Sequence, residues 1–279
     1  MKTYFDEISN DIAVGVTKKY STSFSLATQL LGPSIRQHIY NIYGFVRLAD
    51  EIVDSFHDYD KQSLIHELES DVHTAIDRKI SLNPILNAFQ HTVNTFSIDI
   101  EYINAFMNSM KSDLEKLEYN DVPSYEAYIY GSADVVGLMC LKVFVGGDQH
   151  EFEALKPFAQ KLGSAFQKVN FLRDLKDDYQ LLGRSYFPNT DFNSLSESEK
   201  SSLIDEIKAD FNEAYTGITQ LPFDAKLGVY VAYRYYLKLL DKLEKSSVEN
   251  LTNSRIRVPN SVKLMLLGKS YIYYQLRLV

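Results

Sequence analysis

Two polar stripes, far apart in the chain, lie on stretches that are otherwise apolar and helical, and few folds can house both. The first holds Tyr43, Arg47, Asp50 and Asp54, at offsets 0, 4, 7 and 11. The second holds Gln167, Asn170, Asp174 and Asp178, at offsets 0, 3, 7 and 11. At about 100° per residue, each set falls within roughly 60° of one line on a helix. Ile42, Phe45, Val46, Leu48, Ile52 and Val53 surround the first stripe, and Val169, Phe171, Leu172 and Leu175 the second. A helix that is apolar on its other sides is buried, so its polar stripe faces a cavity rather than bulk water. Two such helices facing each other give a bundle with a hollow centre.

Each stripe ends in an Asp-x-x-x-Asp pair, Asp50/Asp54 and Asp174/Asp178. Two carboxylates about 6 Å apart repel by roughly 3 kcal/mol at an effective dielectric near 20. An interior keeps that cost only where cations offset it. Mg²⁺ binds through a few carboxylates plus substrate phosphates, and Mn²⁺ accepts the same oxygen donors. The pattern therefore points to metal-assisted chemistry on a phosphorylated substrate. Asp58 repeats the spacing after Asp54 and reads as a solvated position near a helix end. Arg47 and Arg173 sit beside the acidic pairs, where a guanidinium either grips phosphate through its bidentate fork or forms an intrahelical salt bridge. Tyr20-Ser21-Thr22-Ser23-Phe24 offers hydroxyls and free N–H groups at a helix start, an anion site or a plain cap. Arg184-Ser185-Tyr186-Phe187-Pro188 is expected to fold over the cavity mouth, and Arg255-Ile256-Arg257-Val258-Pro259 is a basic pair in a loop, phosphate-binding or merely surface charge.

Punctuation supports helices nearly everywhere and no strand. Gly32-Pro33 opens a helix to about Phe56, Asp60 caps one over 61–80, and Asn83-Pro84 opens one to about Phe96. Further helices are expected over 99–119, from Ser124 to Phe144 without a break, over 150–182 with Pro157 as a kink or late start, over 196–221 and 223–247, and after Pro259-Asn260. Connections are short, and no composition shift or repeat divides the chain. The expectation is an all-α fold, a single domain over 1–279, of about ten helices around a central cavity.

Bulk properties exclude some roles. The 279 residues carry a net charge of −8 and no basic stripe, so nucleic acid is not an expected partner. The lone Cys140 lies in the apolar run Val135–Leu141 and reads as a small core residue. The N-terminus lacks a signal-peptide core and no run of 18 apolar residues occurs, so a cytoplasmic protein is expected, with no transmembrane helix. The last segment, Val262 to Tyr274, is apolar with two lysines and either lies at a membrane interface or packs on the bundle. Tyr (20) and Phe (16) are abundant while Trp is absent, which suits either a core or a long greasy cavity.

Taken in order, Ser21-x-Ser23-Phe24, Tyr43-x-x-x-Arg47-x-x-Asp50-x-x-x-Asp54, Tyr130-Gly131 and Gln167-x-x-Asn170-x-x-Arg173-Asp174-x-x-x-Asp178 resemble the squalene/phytoene synthases. The resemblance runs from about Ser21 to Arg255. It implies that Asp50, Asp54, Asp174 and Asp178 hold Mg²⁺ against the diphosphates of two isoprenoids, with Asn170 and Gln167 in the metal or phosphate shell. It implies diphosphate contacts from Ser21, Ser23, Arg47, Arg173 and Arg255, and places Tyr43, Tyr130 and Tyr236 near the reacting carbons. Many relatives have Asp where this chain has Glu51 and Glu where it has Asp177. Tyr20 stands where relatives often have His and takes no role here. The implied reaction joins two prenyl diphosphates head to head through a cyclopropyl diphosphate. Among relatives the pattern looks most like bacterial phytoene synthases, which use geranylgeranyl diphosphate and need no NADPH. The alternatives are a dehydrosqualene or squalene synthase using farnesyl diphosphate, and a non-catalytic partner protein that keeps the fold. Oligomeric state is not readable.

Overall fold

A computed structural model describes residues 2–115, 118–119, 121–182, 184, 186–188 and 195–279, with the side chains of 177–182 outside the described set. The chain folds into helices α1 (Lys2–Tyr20), α2 (Thr22–Thr28), α3 (Pro33–Ser55), α4 (Lys61–Arg78), α5 (Pro84–Phe96) and α6 (Ile100–Glu115). Then come α7 (Val122–Ile129), a π-helical turn (Tyr130–Asp134), α8 (Val135–Phe144), α9 (Gln149–Leu182), α10 (Glu197–Gln220), α11 (Phe223–Lys245), α12 (Val248–Asn253) and α13 (Asn260–Gln275). No strand occurs among the described residues. The architecture is the all-α bundle expected, with more helices than the ten expected. Helices α1 and α12 carried no cap signal recognised in the sequence, and α7–α8 is interrupted by the π turn.

Most boundaries follow from their caps. Pro33 occupies the first turn of α3, where its missing N–H costs nothing. Asp60 Oδ1 accepts from the Ser63 N–H at 3.0 Å to start α4, and Asn83 Oδ1 accepts from Ile85 N–H at 3.0 Å to start α5. Ser196 and Glu199 form a reciprocal capping box on α10. Gly146 and Gly147, at φ 63° and 82°, end α8 in a backbone region that side chains resist. Pro157 does not break or delay α9, which is continuous across it. The proline sits early in a 34-residue helix, so it forfeits one hydrogen bond against extensive packing on α8 and α10.

Helix α3 runs through the centre. Phe45 is fully buried, stacked on Phe89 of α5 at 4.1 Å and beside Phe106 of α6 at 5.5 Å. Its cavity side carries Ile39, Ile42, Tyr43, Val46, Asp50, Val53 and Asp54. Helix α9 presents a matching ladder, from Leu155 through Leu162 and Phe166 to Asn170 and Asp174. Helix α10 approaches α9 closely at Gly217, where a Cβ would stand 2.3 Å from Phe158 Cβ. The stretch Val122–Phe144 is long and apolar enough to cross a membrane by length and composition, contrary to the sequence expectation, but just over half of it is buried within the protein. It contributes Tyr128, Ser132, Val136 and Cys140 to the cavity wall.

Candidate active site

The cavity holds about 470 Å³ and is polar at one end and apolar at the other. On α3 the order along the chain is Ile39, Ile42, Tyr43, Val46, Asp50, Asp54, and on α9 it is Leu155, Phe158, Leu162, Phe166, Asn170, Asp174. Both helices thus point their C-terminal ends at the acidic end. Arg184, just beyond α9, donates to Asp54 Oδ1 of α3 at 3.2 Å, which ties the two ends together. Helix C-termini carry partial negative charge. Carboxylates placed there deepen the negative potential and raise the demand for cations.

The four sequence-expected acids are distributed as follows. Asp50 and Asp54 line the cavity from α3, and Asp174 lines it from α9. Asp178 lies one turn beyond Asp174, with its side chain outside the described residues. Burial first, and repulsion by Asp54 second, push Asp50 up to about 7, against the pull of Arg47. Asp174 is clamped by arginines: Arg173 Nε donates to its Oδ1 at 2.9 Å, and Arg255 Nε approaches the same oxygen at 2.8 Å. The loop carrying Arg255 is therefore brought to α9. Among the described residues no three His, Cys, Asp or Glu side chains form a ready metal cage. The donor set nonetheless fits Mg²⁺, a hard cation that takes one or two carboxylates plus phosphate and water. Asp50 is thus a carboxyl that burial holds near neutral, and a bound cation would favour its charged form.

Gln167, Asn170 and Tyr236 also line the cavity. Tyr236 Oη donates to Asn170 Oδ1 at 3.2 Å, and its ring stacks on Phe166 at 3.9 Å. Tyr43 stacks on Phe24 at 4.8 Å, and burial raises its phenol to about 12, so it stays protonated.

Several expected residues stand elsewhere. Tyr130, expected beside the reacting carbons, is 37% exposed and does not line the cavity. Tyr128, two residues earlier, lines the wall instead: it is buried and donates its hydroxyl to Asp113 Oδ2 at 2.8 Å. The π turn that begins at Tyr130 carries one residue too many for an α-helix, so the cavity-facing side upstream of it shifts relative to a straight 100° projection from α8. Ser21 and Ser23 do not line the cavity, and Ser21 Oγ caps α2 by accepting from Phe24 N–H at 3.2 Å. The capping role is thus realised there. Arg47 does not line the cavity either: it pairs with Glu51 and lies over the Tyr20 ring at 4.3 Å, with Asp50 at 3.9 Å.

Three further residues stand at the acidic end: Asp113, which no motif announced, and Arg184 and Tyr186 from the segment expected over the mouth. Asp113 of α6 is buried against Arg184 and Tyr128, and burial pushes it up to about 7. Arg184 is buried rather than draped over the mouth, donating to the Asp113 carbonyl at 2.9 Å and to Tyr186 Oη at 3.3 Å. Burial opposes its charge, but Asp113, Tyr186 and Asp54 more than offset that and hold it protonated. Tyr186 stacks on Phe171 at 4.1 Å. Cys140 lines the wall, and burial raises its thiol to about 12, which makes it unreactive.

These shifts set a pH dependence. Asp50, Asp113 and Asp134 each move from an ordinary 3.8 up to about 7. The folded state therefore binds more protons than the unfolded state between those values, and stability falls as pH rises through them. His38, pushed by burial down from 6.5 to about 4, acts in the opposite sense below pH 6.5, as one group against three. Without divalent cations, the melting temperature at pH 5.5 is expected to exceed that at pH 8 by roughly 5–10 °C, a loss of a few kcal/mol. Mg²⁺ with inorganic diphosphate should narrow the gap. A melting temperature that rises over this range would contradict the assigned shifts.

The squalene/phytoene synthase family model matches residues 17–261. Phytoene synthase 3 from Zea mays is 29% identical over 275 residues, covering 92% of this chain and 64% of the maize protein, so the chain spans just under two-thirds of that relative. The 15-cis-phytoene synthase of Synechocystis sp. is 29% identical over 297 residues, covering 96% of this chain and 86% of its own. Among solved structures, a dehydrosqualene synthase superposes with a TM-score of 0.82 at 22% identity, covering 97% of this chain and 98% of that one. The squalene synthase HpnC from Alicyclobacillus acidocaldarius gives 0.74 at 19% identity, covering 85% and 93%.

Proposed function

The chain belongs to the squalene/phytoene synthase family, whose members are prenyl transferases, and from that premise we propose that it joins two geranylgeranyl diphosphates head to head to give phytoene and release diphosphate. One observation carries the reading: the polar stripes of α3 and α9 meet at the same end of one apolar, aromatic-rich cavity. That arrangement suits a substrate with a charged head and a long greasy tail.

The residues divide the work by position. Arg173 and Arg255, both already directed at Asp174, offer forked donors to a diphosphate entering there. Asp50, Asp54 and Asp174, with Asp178 and Asn170, would hold Mg²⁺, which when bound neutralises charge on the leaving diphosphate. Ionisation breaks the allylic C–O bond and leaves a carbocation that must be kept from water. The apolar wall of Val46, Val136, Phe166 and Leu162 excludes water, and the faces of Tyr43 and Tyr236 offer π density to the cation. The double bond of the second substrate attacks, and loss of a proton from the diphosphate-bearing carbon of that substrate closes the ring, giving a cyclopropyl diphosphate. A second ionisation, rearrangement and loss of a proton complete the central double bond, with no reductant consumed.

Incubation with labelled C15 and C20 diphosphates, with and without NADPH, tests this by product mass. A C40 hydrocarbon from the C20 substrate, unchanged by NADPH, is expected. A C30 product formed only from the C15 substrate would replace phytoene synthesis with dehydrosqualene or squalene synthesis. No product from either, in protein that is folded and supplied with Mg²⁺, would make the chain a non-catalytic member.

A further inference from the structure

Helix α13 has two faces of different character. Its inner face, through Leu266, packs on Ala27 of α2 and on Leu227, Val231 and Tyr235 of α11. Tyr274 Oη donates to the Phe223 carbonyl at 3.3 Å and fastens the far end. Its outer face carries Leu264 (61% exposed), Met265 (49%), Tyr271 (49%), Ile272 (56%) and Leu276 (63%). At about 100° per residue these five fall within roughly 140° of arc, so they form one surface rather than scattered contacts.

Charge is as uneven as polarity. Residues 254–279 contain Arg255, Arg257, Lys263, Lys269 and Arg277 and no Asp or Glu. This segment is +5 in a chain of net −8, which leaves −13 on the remainder. The acidic side chain that approaches α13, Asp224, accepts from Ser34 Oγ at 3.3 Å. An apolar helix face with exposed Lys269 at its edge and exposed Arg277 just past its end matches a lipid surface that presents hydrocarbon beneath anionic headgroups. A second copy of the chain is a poor occupant, because a two-fold contact through this face would bring two basic segments together with no Asp or Glu in residues 254–279 to pair them. With 16 residues, α13 is too short to span a bilayer.

We propose that the outer face of α13 is a docking surface for an anionic membrane, on which the helix lies flat. The position has a consequence for the cavity. Ala27, Gly228 and Ala232 line the cavity, and Ala27 and Ala232 also touch the cluster that seats α13. One layer of α2 and α11, with Ala27 and Ala232 among the larger Leu227, Val231 and Tyr235, separates the docked helix from the cavity interior. An apolar tail crossing that layer would pass toward lipid rather than water. This last step rests on the proposed prenyl chemistry, whereas the docking does not.

Vesicle flotation of the full chain separates the two questions, because it reads binding rather than turnover. Vesicles of phosphatidylglycerol and phosphatidylcholine in equal parts are compared with phosphatidylcholine alone. The chain is expected to float with the mixed vesicles, at least about tenfold more than with the neutral ones, and to be partly released by salt. Leu264→Glu with Ile272→Glu, and separately Lys269→Glu with Arg277→Glu, should each lower flotation about tenfold. Circular dichroism and the melting temperature should stay as in the parent, since all four side chains are exposed. If the glutamate pair lowers the melting temperature, Leu264→Ser with Ile272→Ser replaces it. No flotation with mixed vesicles, or equal flotation by parent and folded variants, overturns the proposal. So does a dimer in sedimentation that Ile272→Glu dissociates, which would assign the face to a second copy.

Discussion

Asp50→Asn and Asp174→Asn are each expected to lower turnover by two orders of magnitude or more while leaving the helical circular dichroism unchanged. Each carboxylate stands at the acidic end of the cavity, one on α3 and one on α9. Loss of one ligand to a diphosphate-bridging cation removes stabilisation at the moment the C–O bond breaks, where a loss of about 3 kcal/mol costs roughly a hundredfold in rate. Neither substitution should unfold the protein. Asn removes repulsion from the Asp50–Asp54 pair, and the partners of Asp174 are arginines with access to solvent. Raising Mg²⁺ should partly restore Asp50→Asn if the loss is one of metal affinity. Near-normal turnover in both variants would remove the metal-site assignment.

Arg184→Ala should be the most destabilising change at the site, by about 3–5 kcal/mol in urea-induced unfolding. Arg184 is buried between Asp54 of α3 and Asp113 of α6, and it also donates to the Asp113 carbonyl. Its removal leaves Asp113, itself buried, without a counter-charge and opens a void beside Tyr186. Pairing Arg184→Ala with Asp113→Asn should recover part of the loss, because the orphaned charge then goes as well. A loss below about 1 kcal/mol for the single variant would mean that water replaces the guanidinium and that the pair is solvated.

The stripes on α3 and α9 were readable because they are local: period, spacing and residue type all lie within one helix. The same holds for the caps at Asp60, Asn83 and Ser196, where a side chain bonds a backbone three residues on. Residues that act across elements were not readable. Asp113 and Arg184 are 71 positions apart and meet only because α6 and the segment after α9 converge beneath α3. No periodicity carries that information. Arg47 shows the limit in the other direction. Its place on the polar stripe was correct, yet its nearest partner is Glu51, one turn on, rather than an open cavity. A helical wheel places a side chain's root but not the direction of a long, flexible stem.

The exchange of Tyr130 for Tyr128 has a different origin. Projected back from Ala133 and Gly137 along an unbroken helix, the cavity side reaches residues 129 and 130. The inserted residue of Tyr130–Asp134 moves it to Tyr128. What this turn contributes is therefore a length, beside the small side chains of Ser132 and Ala133 on the wall. Point changes that keep five residues would leave the wall facing inward, except at Gly131, where a Cβ would stand 2.6 Å from the Ala105 carbonyl oxygen of α6. The loss of a single codon would turn Tyr128 out of the cavity without altering any residue that does chemistry. The five residues thus set a frame, which the loss of one would shift and most replacements would not.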